Sequence, residues 1–252
     1  SLVVATRLVK SGEAAAVLSA GSTGAQMAAA LFELGRFPGV ERPGIATVLP
    51  SPQGPKVLID SGANVDAKPE HLVCFAYLGS AFAEGVLGIC EPRVALLNIG
   101  TESTKGNETV VKAYQLLQAS DKLCFKGNIE SRDLLAADVD VIVCDGFVGN
   151  ITLKAVEGIA AVLMSMMKDE LTRNPLRLLG GALVKPGIKK IIKKMDYSEY
   201  GGAPLLGVDG LSIICHGTSR ARAIRNAIRY ARQAAESNLL ELMEQKLKGV
   251  VS

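Results

Sequence analysis

One pattern constrains this chain more than any other. A short apolar run ends in a glycine-rich polar loop and a helical pattern follows, six times over. It occurs at AAVLSAGSTGAQMAAALFELG (15–35), KVLIDSGANVDAKPEHL (56–72), VALLNIGTESTKGNET and its continuation (94–120), KLCFKGNIESRDLL (122–135), VDVIVCDGFVGNITLKAVEGI (139–159) and GLSIICHGTSRARAIRNAI (210–228). The runs are continuous and rich in Val, Ile and Leu, as strands buried on both faces are. Strand, loop and helix in repetition predict βα units in an α/β fold, a mostly parallel sheet sandwiched by helices. The spacing varies, which argues against a solenoid. Gly35 reads as a helix C-cap and Pro69 as a residue of a first helical turn.

The chain has 252 residues, enough for a sizeable core, and it reads as a single α/β domain over 1–252. Only 4% of residues are aromatic, so Ala, Val, Leu and Ile must build that core. The net charge of +3 and the lack of interleaved basic and aromatic residues argue against nucleic acid as a partner. Cys74, Cys90, Cys124, Cys144 and Cys215 form no C-x-x-C pair and are expected as buried thiols in a reducing cytosol. His71 and His216 do not give a zinc-ligand spacing, so neither a metal nor another cofactor is expected. No segment reaches the roughly 18 uncharged apolar residues of a membrane span. Residues 151–167 come nearest, interrupted by Lys154 and Glu157. Arg7 and Lys10 break the first apolar stretch, against a signal peptide, and the helical pattern that opens at Ser1 predicts material upstream.

In a parallel sheet the six loops would gather at the carboxyl edge, where open α/β sheets bind ligands. Each following helix would point free N–H groups and a partial positive charge at the same crevice, which suits phosphate. The loop GTESTKG (100–106) is not a Walker A loop, because Lys105 precedes Gly106 rather than following it. It still offers Lys105 as a point charge, beside Thr101, Ser103 and Thr104, unless Lys105 is an ordinary solvated lysine. The loops GSTG (21–24) and SGAN (61–64) read either as simple N-caps through Ser22, Thr23 or Asn64 or as further walls of an anion site. In DGFVGN (145–150), Asn150 either caps a helix from 151 or donates its amide to a substrate oxygen. No G-x-G-x-x-G occurs, against a nicotinamide enzyme, and no G-x-S-x-G, against a serine hydrolase. Cys215 and His216 are strand neighbours that face opposite ways, so they cannot form a nucleophile pair. His216 alone is either a ligand-contacting donor or a structural loop histidine.

Residues 171–200 break the rhythm and predict an amphipathic helical hairpin. Leu178, Leu179, Leu183 and Val184 surround a Gly-Gly pair at its tip; Ile188, Ile191, Ile192 and Met195 then alternate with Lys189, Lys190, Lys193 and Lys194. Arg222, Arg225, Arg229 and Arg232 form a stripe on one helix face, either solvated or receptive to an acidic partner.

The strings GSTGA, DSGANVDAKPEHL, LLNIGTESTKGNE, KGNIESRDLL, DGFVGNITLK and ICHGTS, in this order, resemble the phosphate acyltransferases of bacterial phospholipid synthesis, the PlsX family. The resemblance covers essentially the whole chain; the family usually carries an additional N-terminal stretch, with a first strand and a glycine-rich loop, that these 252 residues do not include. It implies a fold similar to isocitrate and isopropylmalate dehydrogenases and phosphotransacetylases. It also implies a homodimer, cytoplasmic and peripheral to the inner face of the cell membrane. The implied reaction is that of acyl-[acyl carrier protein] with inorganic phosphate to give acyl phosphate. On that resemblance Lys105, Asn150 and His216 are the catalytic candidates. Ser22, Thr23, Gly24, Gly62, Asn64, Gly100, Thr101 and Asn107 would cradle phosphate. Leu178, Leu179, Leu183, Val184, Lys189 and Lys190 would meet the membrane, and the arginine stripe would dock the carrier protein. The alternatives are a phosphotransacetylase-like enzyme that uses acyl-coenzyme A, and an inactive membrane-associated phosphate-binding scaffold.

Overall fold

The computed structural model describes residues 1–195 and 201–249, the side chains of 192–195 excepted. Eight strands form one mixed, mostly parallel sheet: β1 (Ala16–Ser19), β2 (Gly44–Ser51), β3 (Gly54–Ile59), β4 (Arg93–Asn98), β5 (Cys124–Glu130), β6 (Val141–Val143), β7 (Ala203–Leu206) and β8 (Leu211–Ile214). Their spatial order is β1-β8-β7-β2-β3-β6-β4-β5. The helices are α1 (Leu2–Lys10), α2 (Thr23–Glu33), α3 (Pro69–Gly85), α4 (Glu108–Gln118), α5 (Gly146–Leu171), α6 (Pro175–Met195), α7 (Ala221–Glu236) and α8 (Leu239–Leu247).

All six predicted runs are strands, and Val57, Leu58, Val94, Ala95, Val141 and Ile142 are fully buried. The central helix α3 is apolar on every side because it is buried on every side, from Leu72 to Ala83. Gly79 lets it lie close on the sheet: a Cβ there would come within 2.6 Å of Val141 Cγ1. Pro69 opens α3, and Gly35, at φ 88°, follows the end of α2 in the left-handed conformation that ends helices.

Direction is where the structure departs from a simple parallel sheet. Strands β3, β6, β4 and β5 run together, but β2 is antiparallel to β3 and to β7, and β8 is antiparallel to β7. The β1/β8 pair therefore runs against the β3–β6–β4–β5 set, and the loops do not gather on one edge. They meet head to head instead. Ala203 pairs with Ile214 at the end of β8, while Leu205 pairs with Ile45. That register puts the end of β8 beside the middle of β2, near Thr47. On the other side Ser61, just past β3, holds Thr47 by an Oγ–Oγ1 hydrogen bond of 2.7 Å. The ends of two opposed half-sheets thus face each other across Thr47.

The hairpin is larger than the predicted 171–200. It consists of α5 and α6, joined across residues 172–174, with the Gly180–Gly181 pair and Pro186 inside α6 rather than at a turn. Helix α5 is long and apolar enough to cross a membrane by length and composition, because Lys154 and Glu157 are too few charges to break it. Ile192, Met195, Lys193 and Lys194 fall where side chains are not described. All five cysteines are free, but only Cys74, Cys144 and Cys215 are buried; Cys90 and Cys124 are exposed, against expectation, because they sit at loop and strand-edge positions.

Candidate functional site

A cleft of about 480 Å³ opens where the two half-sheets meet. Gly21 and Thr23 enter it from β1, His216, Gly217 and Ser219 from β8, Ser61 and Gly62 from β3, and Asn150 and Lys154 from α5. Thr47 and Val48 are on its floor.

Asp60 builds the β3 side. Its fully buried carboxylate accepts from the backbone N–H groups of Ile45 (3.0 Å), Gly62 (3.0 Å), Ala63 (2.9 Å) and Asn64 (2.7 Å), and from Asn64 Nδ2 (2.9 Å). Burial pushes this carboxyl above its usual range, and the N–H donors oppose that push. The ring of donors winds residues 61–64 into a fixed loop. Helix α5 then docks on that loop at almost no separation. Gly146 N donates to Asn64 O at 2.7 Å, and a Cβ at Gly149 would overlap the Asp60 carbonyl. Asp145, not Asn150, caps α5, accepting from Val148 N at 2.8 Å. The helix therefore starts five residues earlier than predicted, and Asn150 is free of capping. It sits beside Gly62, whose hypothetical Cβ would lie 3.6 Å from Asn150 Cβ.

On the opposite side His216 Nδ1 lies 3.3 Å from Thr218 N and 2.7 Å from Thr218 Oγ1. A backbone N–H can only donate, so Nδ1 is the acceptor and the neutral ring carries its proton on Nε2. His216 thus offers a donor at the cleft. Ser22 caps α2, accepting from Ala25 N at 3.4 Å, which leaves Thr23 and Gly24 exposed at the helix start.

The N-termini of α2 and α7 open on this space, whereas α5 reaches it only from Asn150 onward, its own N-terminus being capped by Asp145. Neither α2 nor α7 has an acidic residue in its first turn. The first turns of α3 and α4 do, at Glu70 and Glu108. Two uncompensated helix ends favour an anion.

Asn64 and four predicted residues of the loop after β4 are placed otherwise. Asn64 faces inward: its amide donates to Asp60 and, at 2.7 Å, to Pro43 O, so it shapes the loop rather than the cleft. The loop with Gly100, Thr101, Lys105 and Asn107 does not line the cleft, because it follows β4 and β6 intervenes between β4 and β3. Two strand spacings place it about 10 Å along the same edge. That loop is closed on itself: Asn98 Nδ2 donates to Lys105 O at 2.9 Å, Asn128 Nδ2 to Glu102 O at 2.8 Å, and Asn107 caps α4. The Lys105 side chain crosses Gly100 and is exposed. Lys154, absent from the predicted set, is the lysine that does line the cleft, one helical turn beyond Asn150 and paired with Glu157 at 2.8 Å. Its i, i+4 spacing from Asn150 was the available signal, hidden by the assumed helix start at 151.

The architecture defines a class: its fold is that of the phosphotransacetylases. A phosphotransacetylase from Streptococcus pyogenes superposes with a TM-score of 0.64 at 19% identity, over 93% of this chain and 67% of that one. EutD phosphotransacetylase from Staphylococcus aureus gives 0.61 at 18% identity, over 94% and 67%. The particular family follows from sequence. A family model described as "Fatty acid synthesis protein" matches residues 1–242. A phosphate acyltransferase of Heliobacterium modesticaldum is 55% identical over 251 residues, 100% of this chain and 75% of the relative. One from Desulfitobacterium hafniense (strain Y51) is 57% identical over 248 residues, 98% and 74%. The chain belongs to the phosphate acyltransferase family, and is a transferase.

Proposed function

We propose that the cleft holds inorganic phosphate against the thioester of a long-chain acyl-[acyl carrier protein] and forms acyl phosphate for phospholipid synthesis. The observation that supports this most is the meeting of two helix N-termini free of acidic residues, those of α2 and α7, with the donors of Thr23, Asn150 and His216. Phosphate is anionic at neutral pH and needs no activated side-chain nucleophile, so positioning is the main requirement. A phosphate oxygen attacks the carbonyl carbon, and the resulting oxyanion collapses with cleavage of the C–S bond. The sulfur leaves as a thiolate and takes a proton from solvent. Asn150 and the His216 Nε2–H group are the donors nearest to the developing oxyanion. Lys105 supplies further positive charge from the neighbouring loop, with Gly100, Thr101 and Asn107 shaping that loop.

The same proposal gives α5 and α6 a task. Leu176, Leu178, Leu179, Leu183 and Val184 on α6, with Ile159, Val162, Leu163 and Met166 on α5, are all exposed. So large an apolar surface, flanked by Lys185, Lys189 and Lys190, suits the headgroup boundary of an anionic bilayer, at the inner face of the cell membrane. We place the protein there as a homodimer, with the arginine stripe of α7 toward the carrier protein.

The test is phosphate-dependent release of free carrier-protein thiol from palmitoyl carrier protein, with acyl phosphate trapped as its hydroxamate. Acetyl-coenzyme A in the same assay is expected to be a poor substrate. No acyl phosphate from palmitoyl carrier protein would sink the proposal; a preference for acetyl-coenzyme A would make the chain a phosphotransacetylase.

A further inference from the structure

A second depression, of about 750 Å³, runs along α2 and shares Thr23 and Gly62 with the cleft. Its wall is the face of α2 that carries Gly24, Met27, Ala28 and Leu31, at helical spacings of three and four, and Ala63 forms the opposite side. Met27, Leu31 and Ala63 are partly buried on a core cluster, so the floor is set by packing. Phe32 stands at the rim, 89% exposed, and Arg36 marks the far end. Between Thr23 and Arg36 no charged side chain lines the trough.

We propose that this trough is the subsite for the hydrocarbon chain of the acyl substrate, and that Leu31 helps set chain length. The inference rests on the reaction proposed above. Continuity identifies the occupant: a thioester whose carbonyl lies in the cleft at Gly62 must send its chain out past that residue. The trough starts there, and its side chains between Thr23 and Arg36 are apolar. A peptide or nucleotide would need polar side-chain partners along its length, and the trough has none between its two ends. Eight residues separate Thr23 from Leu31, or about 12 Å of helix axis. At roughly 1.3 Å of advance per methylene, set by carbon–carbon bond geometry, a four-carbon chain ends short of Leu31 and a sixteen-carbon chain passes it.

The experiment uses Leu31→Trp and Phe32→Ala in the full chain. Acyl phosphate formation is measured with carrier proteins bearing butyryl to stearoyl chains, and the kcat/KM ratio of palmitoyl to butyryl is compared with that of the parent protein. Leu31→Trp should lower this ratio by about tenfold or more, and Phe32→Ala by a few fold. Calorimetric binding of hexadecyl phosphonate gives a readout without turnover: Leu31→Trp should weaken it while butyl phosphonate binds as before. Unchanged ratios in both variants, with unchanged hexadecyl phosphonate binding, overturn the subsite. A shift in oligomeric state of Phe32→Ala without a change in chain-length ratio makes the trough a contact between copies and also overturns it. A parent protein that turns over no thioester refutes the reaction, and phosphonate binding then decides the trough separately.

Discussion

Three glycines of one helix should respond to the same substitution with opposite signs. Alanine is favoured over glycine in a helix interior by about 1 kcal/mol, so on propensity alone Gly149→Ala and Gly158→Ala should stabilise α5. At Gly158 a new Cβ meets nothing within 4 Å, and the propensity gain stands. At Gly149 it overlaps the Asp60 carbonyl oxygen and lies 3.0 Å from Cys144 Sγ; at Gly146, the first residue of the helix, it lies 2.7 Å from Asn64 O and 2.8 Å from Asp60 Oδ2. Ordinary carbon contacts begin near 3.5 Å, so Gly146→Ala forces a shift of about 0.8 Å and Gly149→Ala a larger one. The atoms that must yield are the backbone and buried carboxylate of the most heavily hydrogen-bonded loop in the fold. Overpacking of this kind costs about 1–3 kcal/mol, with the lost approach of α5 in addition, and exceeds the propensity gain. Urea denaturation should therefore show Gly149→Ala destabilised by about 2 kcal/mol or more, Gly146→Ala by somewhat less, and Gly158→Ala unchanged or up to about 1 kcal/mol more stable. The same displacement moves Asn150, so acyl phosphate formation should fall in Gly149→Ala even where the protein is folded. Equal stability of Gly149→Ala and Gly158→Ala would refute the reasoning that α5 is positioned by close contact with residues 60–64.

Asp140 should govern part of the acid stability. Burial raises its carboxyl pKa, but the Arg93 side-chain hydrogen bonds (2.8 and 3.0 Å) and the Arg93 N–H group (2.9 Å) lower it more, to below 3.8. The stabilisation is thus present above pH 3.8 and lost as pH falls through the depressed folded value. Asp140→Asn should cost about 1.5–3 kcal/mol at pH 7 and progressively less as pH falls below 3.8, and a pH-independent difference would contradict this. Asn150→Ala should reduce kcat by about 10²-fold as a lost oxyanion or phosphate donor, and Lys105→Ala by a similar factor, whereas parental rates in Lys105→Ala remove that residue from the mechanism. The double variant Leu179→Glu/Leu183→Glu should lose binding to anionic vesicles by more than tenfold in flotation assays, since each leucine brings about 1.5–3 kcal/mol of apolar transfer; full retention would move the membrane surface elsewhere.

Much of the sheet was legible because its strands are local and continuous: Val57–Ile59, Val94–Leu97 and Val141–Val143 read as buried from their neighbours alone. Strands β2 and β7 were not legible. They are antiparallel, interrupted by Pro50 and Pro204, and paired through only two residues each with the other. Yet they reverse half the sheet, and no local pattern reports the direction in which a strand is inserted. Asn64 and Asn150 illustrate the same limit at the site. Both are polar residues in glycine-rich strings, but one is turned inward by Asp60 and the other outward by a helix that starts at Gly146. Whether a polar side chain reaches a ligand depends on which backbone groups claim it first, and those belong to residues distant in sequence, such as Pro43, whose carbonyl accepts from the Asn64 amide.

The opposed half-sheets also bear on charge. A single parallel sheet presents its helix ends along one rim, each acting on a bound anion from the same side. Here the ends of α2 and α7 approach from the β1/β8 half and Asn150 of α5 from the β3/β6 half, so an anion between them meets donors from both sides. Two helix N-termini at roughly half a charge each come to about +1, which offsets part of the charge of phosphate at neutral pH. Lys154 adds little, because Glu157 neutralises it at 2.8 Å. Phosphate binding therefore draws mainly on the backbone, and the charge that develops on the thioester oxygen meets only the neutral donors of Asn150 and His216 within the cleft. The next cation on the β3–β6–β4 edge is on the β4 loop, held by Asn98 and Asn128 in a closed conformation that leaves the Lys105 side chain exposed. A lysine outside the ground-state cleft, within about 10 Å of it, would act more on the reaction than on phosphate affinity. Lys105→Ala should accordingly lower kcat far more than it raises the KM for phosphate, whereas Lys154→Ala should do neither strongly.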